Sequence, residues 1–474
     1  MLRYTHRDKI LFFSRKMRGV EMKIVIVGDG KVGLALTARL SRAGHDVVVI
    51  DRDPRVLEES LQTYDVMVVQ GNGACKSVLE EAGIDTADLL IAATSSDEIN
   101  LLCCMVANKM ANVHTIARVR SPEYAGQLNF LKDELGLSMT INPEMAAARE
   151  IDHLLQFPSF LKRDRFAKGR VEIVELKICA DSPLRGKPLS QLYKLIRVKV
   201  LVCAVERRGM VYIPSGAFTL EEGDKISVTA DSKDLVTLLK NLGLTTERTR
   251  SALIIGGSRI AYYLARRLLS SGITVKIIEQ DITRCEELAA LLPKATIINA
   301  DGSRQDILRA EGITSTDAVV TLTDMDEENL IISMYATHVG VPKSITKINR
   351  AEYVDTFSDL GIDTVISPKD LCCTDIVRYV RAMENTTGGA VQTLHYIVEG
   401  KAEALEFVAT SATRHLDEPL TQVPIKPNIL LSCILRGGKT IIPQGSDCIR
   451  LGDTVIVVTT AEQTIRDLGD IFAG

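Results

Sequence analysis

The chain repeats itself. Gly28 and Gly256 each end an apolar run and open a small-residue loop, 256 − 28 = 228 positions apart, and from there the two halves keep step. Thr94, Asp97 and Asn100 in A-T-S-S-D-E-I-N return as Thr323, Asp326 and Asn329 in L-T-D-M-D-E-E-N, each 229 residues later. Arg118 is answered by Lys347 and Tyr124 by Tyr353 at the same offset. So many matched positions at one spacing require a fold that half the chain can adopt, used twice. The 474 residues allow about three or four domains, each with a core of its own.

Within each half the apolar pattern changes period. Apolar strands at 47–50, 66–69 and 89–93 alternate with helical stretches at 34–42, 75–82 and 100–109, the rhythm of a parallel sheet covered on both faces. From Val171 to about Leu242 the order becomes strand, loop, short helix, strand, hairpin, strand, helix. Turn signals lie at Ser182-Pro183, Pro214-Ser215-Gly216 and Glu222-Gly223-Asp224. Pro443-Gln444-Gly445 and Gly452-Asp453 repeat the turns in a copy spanning about 391–468. The expected architecture is α/β: a tandem repeat of a Rossmann-type parallel-sheet domain followed by a small α/β domain. The expected divisions are an extension at 1–21, a first Rossmann domain at 22–148, a linking helix with small domain at 149–242, and their copies at 250–372 and 373–474.

Composition narrows the function. A chain that is 46% apolar and 25% charged, with net charge −4, is neither disordered nor a basic nucleic-acid binder. No apolar run approaches the roughly 18–20 uncharged residues of a membrane span, so membrane work is expected to go through a partner. The ten cysteines are scattered without a C-x-x-C and predict reduced, mostly buried thiols in a cytoplasmic protein. Residues 1–21 are basic and lack a cleavage site, and the second methionine, Met22, leads directly into a strand.

The candidate site is the loop Gly28-x-Gly30-x-x-Gly33. In a dinucleotide fingerprint the first glycine permits the turn, the second lets a pyrophosphate reach the backbone, and the third lets the helix pack on its strand. The phosphates would rest on the helix N-terminus. Asp51 ends the next strand 23 residues on, placed either to bind the ribose hydroxyls and repel a 2′-phosphate or simply to be solvated. Arg52 and Arg55 beside it could neutralise such a phosphate. Gly71-Asn72-Gly73 is a turn or an adenine approach. Thr94, Ser95 and Asp97 follow the fourth strand, where open α/β sheets place ligands. Arg118 ends the fifth, as a phosphate partner or a structural ion pair. The second copy carries Gly256-Gly257-Ser258-Arg259-Ile260-Ala261, so a Cβ stands where the second glycine was. Glu279 keeps the acidic place, 279 − 256 = 23. Asp301, Thr323, Asp326 and Lys347 complete this weaker candidate site. No metal or catalytic constellation is apparent, and His45, His114 and His153 have no catalytic setting.

This order of modules, duplicated, resembles the TrkA family over about residues 22–470. The resemblance implies Rossmann-type RCK domains, each followed by a small TrkA-C (RCK-C) domain, in a non-enzymatic regulatory subunit on the cytoplasmic face of the inner membrane. It also implies NAD or NADH, in some members ATP or ADP, as ligand, a TrkH- or TrkG-type potassium pore as partner, and assembly as a homotetramer. Gly28, Asp29, Gly30, Lys31, Val32, Asp51, Thr94, Ser95 and Arg118 would line the first nucleotide site. The rival reading, an NAD-dependent dehydrogenase, needs a substrate cleft with an acid or base beside the nicotinamide; only a small strand-rich unit follows each Rossmann module.

Deleting residues 1–21 is expected to leave the melting temperature unchanged, since the segment supplies no repeat-equivalent element. A loss of several degrees would show that it packs on the core.

Overall fold

The computed structural model describes residues 22–125, 127–156, 159–244, 249–350, 362, 364–384, 391–398, 401–460, 465 and 467–473. The extension at 1–21 and Tyr353 lie outside the described residues. The chain divides into two compact units: residues up to Ala146 with Pro368–Val377, and Ala147–Ser367 with Arg378–Gly474.

The first module is built on β1 (Lys23–Val27), β2 (Asp46–Asp51), β3 (Met67–Gln70), β4 (Leu89–Ala92), β5 (His114–Arg118) and β6 (Met139–Ile141). They form one parallel sheet in the order β3-β2-β1-β4-β5-β6, the Rossmann order. β4 is buried along its whole length, which is why these strands are continuous apolar runs rather than alternating ones. Helix α1 (Lys31–Arg42) buries Val32, Leu36 and Leu40, a stripe at every fourth position. The α2 helix (Pro54–Thr63) is capped by Asp53, whose side chain accepts from the Arg55 amide. Two further helices, α3 (Lys76–Glu81) and α4 (Asp97–Met110), follow β3 and β4, and short helical segments at Pro122–Ala125 and Leu128–Glu134 precede β6.

The linking helix α5 (Pro143–Gln156) precedes the first small sheet, β7 (Lys162–Phe166), β8 (Val171–Lys177), β9 (Leu201–Arg207), β10 (Met210–Tyr212) and β11 (Lys225–Asp231). Its order is β10-β9-β11-β8-β7, antiparallel throughout, with two short helices, α6 (Leu192–Ile196) and α7 (Leu235–Asn241). The second Rossmann sheet comprises β12 (Ser251–Ile255), β13 (Thr274–Glu279), β14 (Thr296–Asn299), β15 (Ala318–Thr321), β16 (Lys343–Lys347) and β17 (Val365–Ile366). Its order, β14-β13-β12-β15-β16-β17, is the first order over again. Its helices include α8 (Arg259–Ser270), α9 (Ile282–Leu291) and α10 (Asp326–His338). A second linking helix, α11 (Pro368–Glu384), leads to β18 (Val391–Ile397), β19 (Ala402–Val408), β20 (Ile429–Arg436), β21 (Lys439–Ile441) and β22 (Thr454–Thr460), ordered β18-β19-β22-β20-β21. That is the first small sheet read from its other edge.

The two small sheets share a core. Phe166, Ile173, Cys203 and Ala204 of the first pack with Ala402, Ala404, Cys433 and Ile456 of the second, and Thr229 hydrogen-bonds Ser432. In each small sheet one arginine clamps the glycine turn. Arg207 donates to both oxygens of buried Asp224, and Arg436 repeats this on Asp453, 229 residues later. The linking helices are exchanged: Asp152 of α5 accepts from Arg267 of α8, while Asp370 of α11 accepts from Arg39 of α1, at 2.7 and 2.6 Å.

All ten cysteines are free and seven are buried, where burial pushes thiols such as Cys203 and Cys433 up to about 12. On β7, Asp164 lies 2.8 Å from His395 Nδ1 and 3.6 Å from Lys162. Burial would raise its carboxyl, but Lys162, His395 and Arg378 outweigh that and hold it at about 2, against an ordinary 3.8. A depressed folded-state pKa stabilises above the ordinary value and is lost as pH falls toward the folded value. Stability is thus expected to drop by on the order of 2 kcal/mol between pH 4 and pH 2 through this group. Urea midpoints across that range should fall less steeply in Asp164→Asn than in the parent.

Candidate functional site

Three glycines form the first loop, and only two have reasons inside the protein. Gly28 takes φ +94°, and a Cβ there would come within 2.8 Å of the Thr94 backbone. At Gly33 a Cβ would run into the Gly28 carbonyl. Gly30 has φ −72° and ψ −167°, extended backbone open to any residue, and a Cβ there would meet nothing within 4 Å. As the N-cap of α1 it offers no side-chain cap, so the first-turn N–H groups of the helix have no side-chain acceptor from that position.

The strand-end acid holds this loop in place. Asp51 Oδ2 accepts from the Asp29 amide at 2.7 Å and Oδ1 from the Asp53 amide at 2.9 Å. Asp29 itself is fully buried; one oxygen accepts from Ser60 Oγ at 2.5 Å and the other has no partner. Burial raises its pKa, the Ser60 bond opposes that, and Asp51 and Glu59 raise it further. Lys31 and Arg52 are exposed beside the loop, Val32 is buried, and Arg55 is engaged by Asp53. Gly73 owes its missing side chain to Val27, against which a Cβ would collide, and Asn72 Oδ1 accepts from the Ala74 amide. Packing and turn chemistry therefore account for Gly71-Asn72-Gly73.

At the carboxyl ends of β4 and β5, Asn100 ties the strands together. Its Oδ1 accepts from the Thr94 amide and hydroxyl, and its Nδ2 donates to the Thr94 and Arg118 carbonyls. Arg118 Nη2 donates to the Thr94 carbonyl at 2.8 Å, while Nε is buried with no partner. Burial lowers the Arg118 pKa, leaving a desolvated guanidinium that an anion would satisfy. Asp97, the first residue of α4, accepts from the Arg120 and Ser121 amides through one oxygen. Ser95 is exposed and its carbonyl accepts from Arg120. Sequence reasoning missed Ser60 and Arg120; recurrence of Asn100 as Asn329 was the available signal for the strand clamp.

The second module keeps the frame and changes the mouth. Gly256 takes φ +97°, Glu279 accepts from the Gly257 amide at 2.6 Å, and Asn329 repeats the clamp on Thr323 and Lys347. Asp326 accepts from the Asn349 and Arg350 amides, as Asp97 does from its own pair. Lys347 Nζ donates to the Thr323 carbonyl, and Asp301 closes a turn on Ser303. Ser258 caps α8 with its own hydroxyl, accepting from the Ala261 amide at 3.5 Å, so a phosphate would have to compete for that donor. Arg284 Nε donates to the Gly257 carbonyl at 2.7 Å; the matching position 228 residues earlier is Val56, which has no such group. Arg259 is exposed and Ile260 buried. His45 and His114 lie at the amino ends of β2 and β5, the edge away from both loops' strand ends.

Residues 24–143 and 252–368 match the TrkA-N domain and residues 173–243 the TrkA-C domain. The Trk system potassium uptake protein TrkA homolog 1 of Methanosarcina mazei is 33% identical over 448 residues, 93% of this chain and 98% of the relative. This chain belongs to the TrkA family. A second relative, the Trk system potassium uptake protein TrkA of Halomonas elongata, is 31% identical over 457 residues, 95% of this chain and 98% of its own. Among solved structures, the GsuK RCK domain aligns with TM-score 0.62 and 18% identity over 95% of this chain and 97% of that one. The GsuK channel bound to NAD aligns at TM-score 0.61 and 18% identity, covering 94% and 77%. The TrkA-family chain thus has the tandem RCK fold.

In this TrkA-family loop Gly30→Ala is expected to change stability by no more than about 0.5 kcal/mol. Gly33→Ala, forced against the Gly28 carbonyl, should cost about 3 kcal/mol. Denaturant melts of the two variants side by side check the difference.

Proposed function

We propose that this chain is the nucleotide-sensing regulatory subunit of a Trk-type potassium uptake system. It binds NAD(H) in its first module and sets the opening of a TrkH- or TrkG-type pore from the cytoplasmic face of the membrane. The observation that carries the reading is Gly30, a glycine that nothing inside the protein requires, at an uncapped helix N-terminus where a pyrophosphate would approach. Asp51 fits the ribose side of such a ligand and disfavours a 2′-phosphate; Arg118, with its unpartnered Nε, fits the anionic side.

The relatives' names support potassium uptake as the setting, and the NAD-bound GsuK channel supports the ligand class. No helix among the described residues is long and apolar enough to cross a membrane, which suits a subunit acting through a separate pore. The second module, with Ser258 at its mouth, is a weaker site for NAD(H), ATP or ADP. The duplicated units suit a homotetrameric ring, since heterologous contacts close when the rotation allows. A nucleotide can shift the pore only by its difference in affinity for the two ring states, and the pore must shift nucleotide affinity by the same factor. No catalytic step is assigned: NADH bound here should not be consumed when hydroxy acids, amino acids or aldehydes are added.

Gly30→Val should stay folded and lose NADH affinity by on the order of tenfold or more, because its side chain fills the space the phosphates need. Calorimetry reads the affinity, and potassium flux through the reconstituted pore, titrated with NADH, NAD, ATP and ADP, reads the response. A folded Gly30→Val protein with parental NADH affinity would remove the first loop from the site. Asp51→Ala is a poorer probe, since losing its two amide bonds also loosens the loop.

A further inference from the structure

The duplication supplies an internal control for surfaces as well as for sites. Between Ser182 and Val200 the first small domain carries Arg185, Lys187, Lys194, Arg197 and Lys199 and no Asp or Glu, in a chain whose net charge is −4. The matching stretch of the second, residues 411–429, carries Arg414 and Lys426 against Asp417 and Glu418, so its formal charge is zero. The fold therefore does not require this charge. The two stretches differ in structure too: the first forms α6, while Thr421 to Asn428 form no helix.

Leu192 and Ile196 anchor α6 in a core that includes Leu238 and Leu239 of α7, and Asn241 Nδ2 donates to the Ile196 carbonyl at 2.5 Å. The outer side of this pair then exposes large apolar groups among cations. Tyr193 is 62% exposed, Leu195 37% and Val236 41%, and Lys194, Arg197, Lys199 and Lys240, on the same two helices or just after α6, are exposed as well. Arg185 is engaged by Glu222 at 3.1 Å.

We propose that this ridge on the first small domain docks on an anionic lipid surface. A tyrosine ring suits the headgroup level, and clustered lysine and arginine are drawn to an anionic leaflet within a Debye length. Short apolar side chains framed by cations bind such a surface reversibly, without spanning it. The ridge would hold this domain against the bilayer independently of any pore, and it goes beyond the nucleotide reading without depending on it.

The test uses the full-length protein in flotation with vesicles of phosphatidylcholine alone or mixed with phosphatidylglycerol. Binding should rise with the phosphatidylglycerol fraction and fall as salt is added. Lys194→Glu, Arg197→Glu and Lys199→Glu together should weaken it by on the order of tenfold or more. Tyr193→Ser with Leu195→Ser should weaken it while leaving the salt dependence. The proposal is overturned if the parent protein shows no preference for anionic vesicles, or if a folded charge-reversed protein floats as well as the parent. It is equally overturned if charge reversal weakens binding only to the purified pore in neutral nanodiscs, which would make the partner an acidic protein face. NADH affinity measured on the same samples reports separately on the nucleotide reading, and the salt titration of the parent protein decides the matter even if a variant unfolds.

Discussion

One hydrogen bond sets the geometry on which both modules depend: the amide after the first glycine donates to the acid that ends the second strand. It measures 2.7 Å from Asp29 to Asp51 and 2.6 Å from Gly257 to Glu279. The bond is charge-assisted, and it fixes the loop against β2 before any ligand arrives. With the loop pinned, Gly28 turns through a left-handed conformation and α1 starts at Lys31 without a side-chain cap. A binding surface made of backbone needs such a constraint, because a mobile loop would have to be ordered by the ligand at the ligand's expense in affinity.

The frame was legible because its signals are local and repeated. Apolar runs bounded by glycine loops gave the Rossmann strands, and the 229-residue offset gave the second copy of everything the first contained. What stayed hidden is long-range or polar. β7 reads K-R-D-R-F, with no apolar run to mark it; it is a strand on which Arg163 pairs with Glu172 and Asp164 with His395, partners that no spacing rule reveals. The turn Glu222-Gly223-Asp224 was visible as a turn, but that Asp224 is the buried seat of Arg207 depends on a strand 17 residues upstream. Asn100 recurs as Asn329 in the sequence, yet its four hydrogen bonds across two strand ends appear only in three dimensions.

The two copies have parted at the surface while keeping their skeleton. Asn100 and Asn329, Arg207 and Arg436, Gly73 and Gly302 do the same structural work twice. Divergences include Gly30 against Ser258, and α6, which has no helical counterpart. At both, the first copy is exposed: Gly30 in its loop, and Tyr193 and Lys194 on α6. A duplicated chain in this way separates the residues that hold a fold from those free to acquire a task.

The exchanged linking helices also bear on how such a chain could have arisen. Arg39 of the first module is clasped by the helix following the second, and Arg267 of the second by the helix following the first. An ancestral half-length polypeptide would have carried both an empty seat and a helix without one, a combination that two identical chains resolve by trading arms. Joining two such copies end to end would tie together partners that need each other. The same reciprocity makes the modern chain a poor candidate for dissection: either half expressed alone would lose the clasp on its first helix and regain it only by finding a twin.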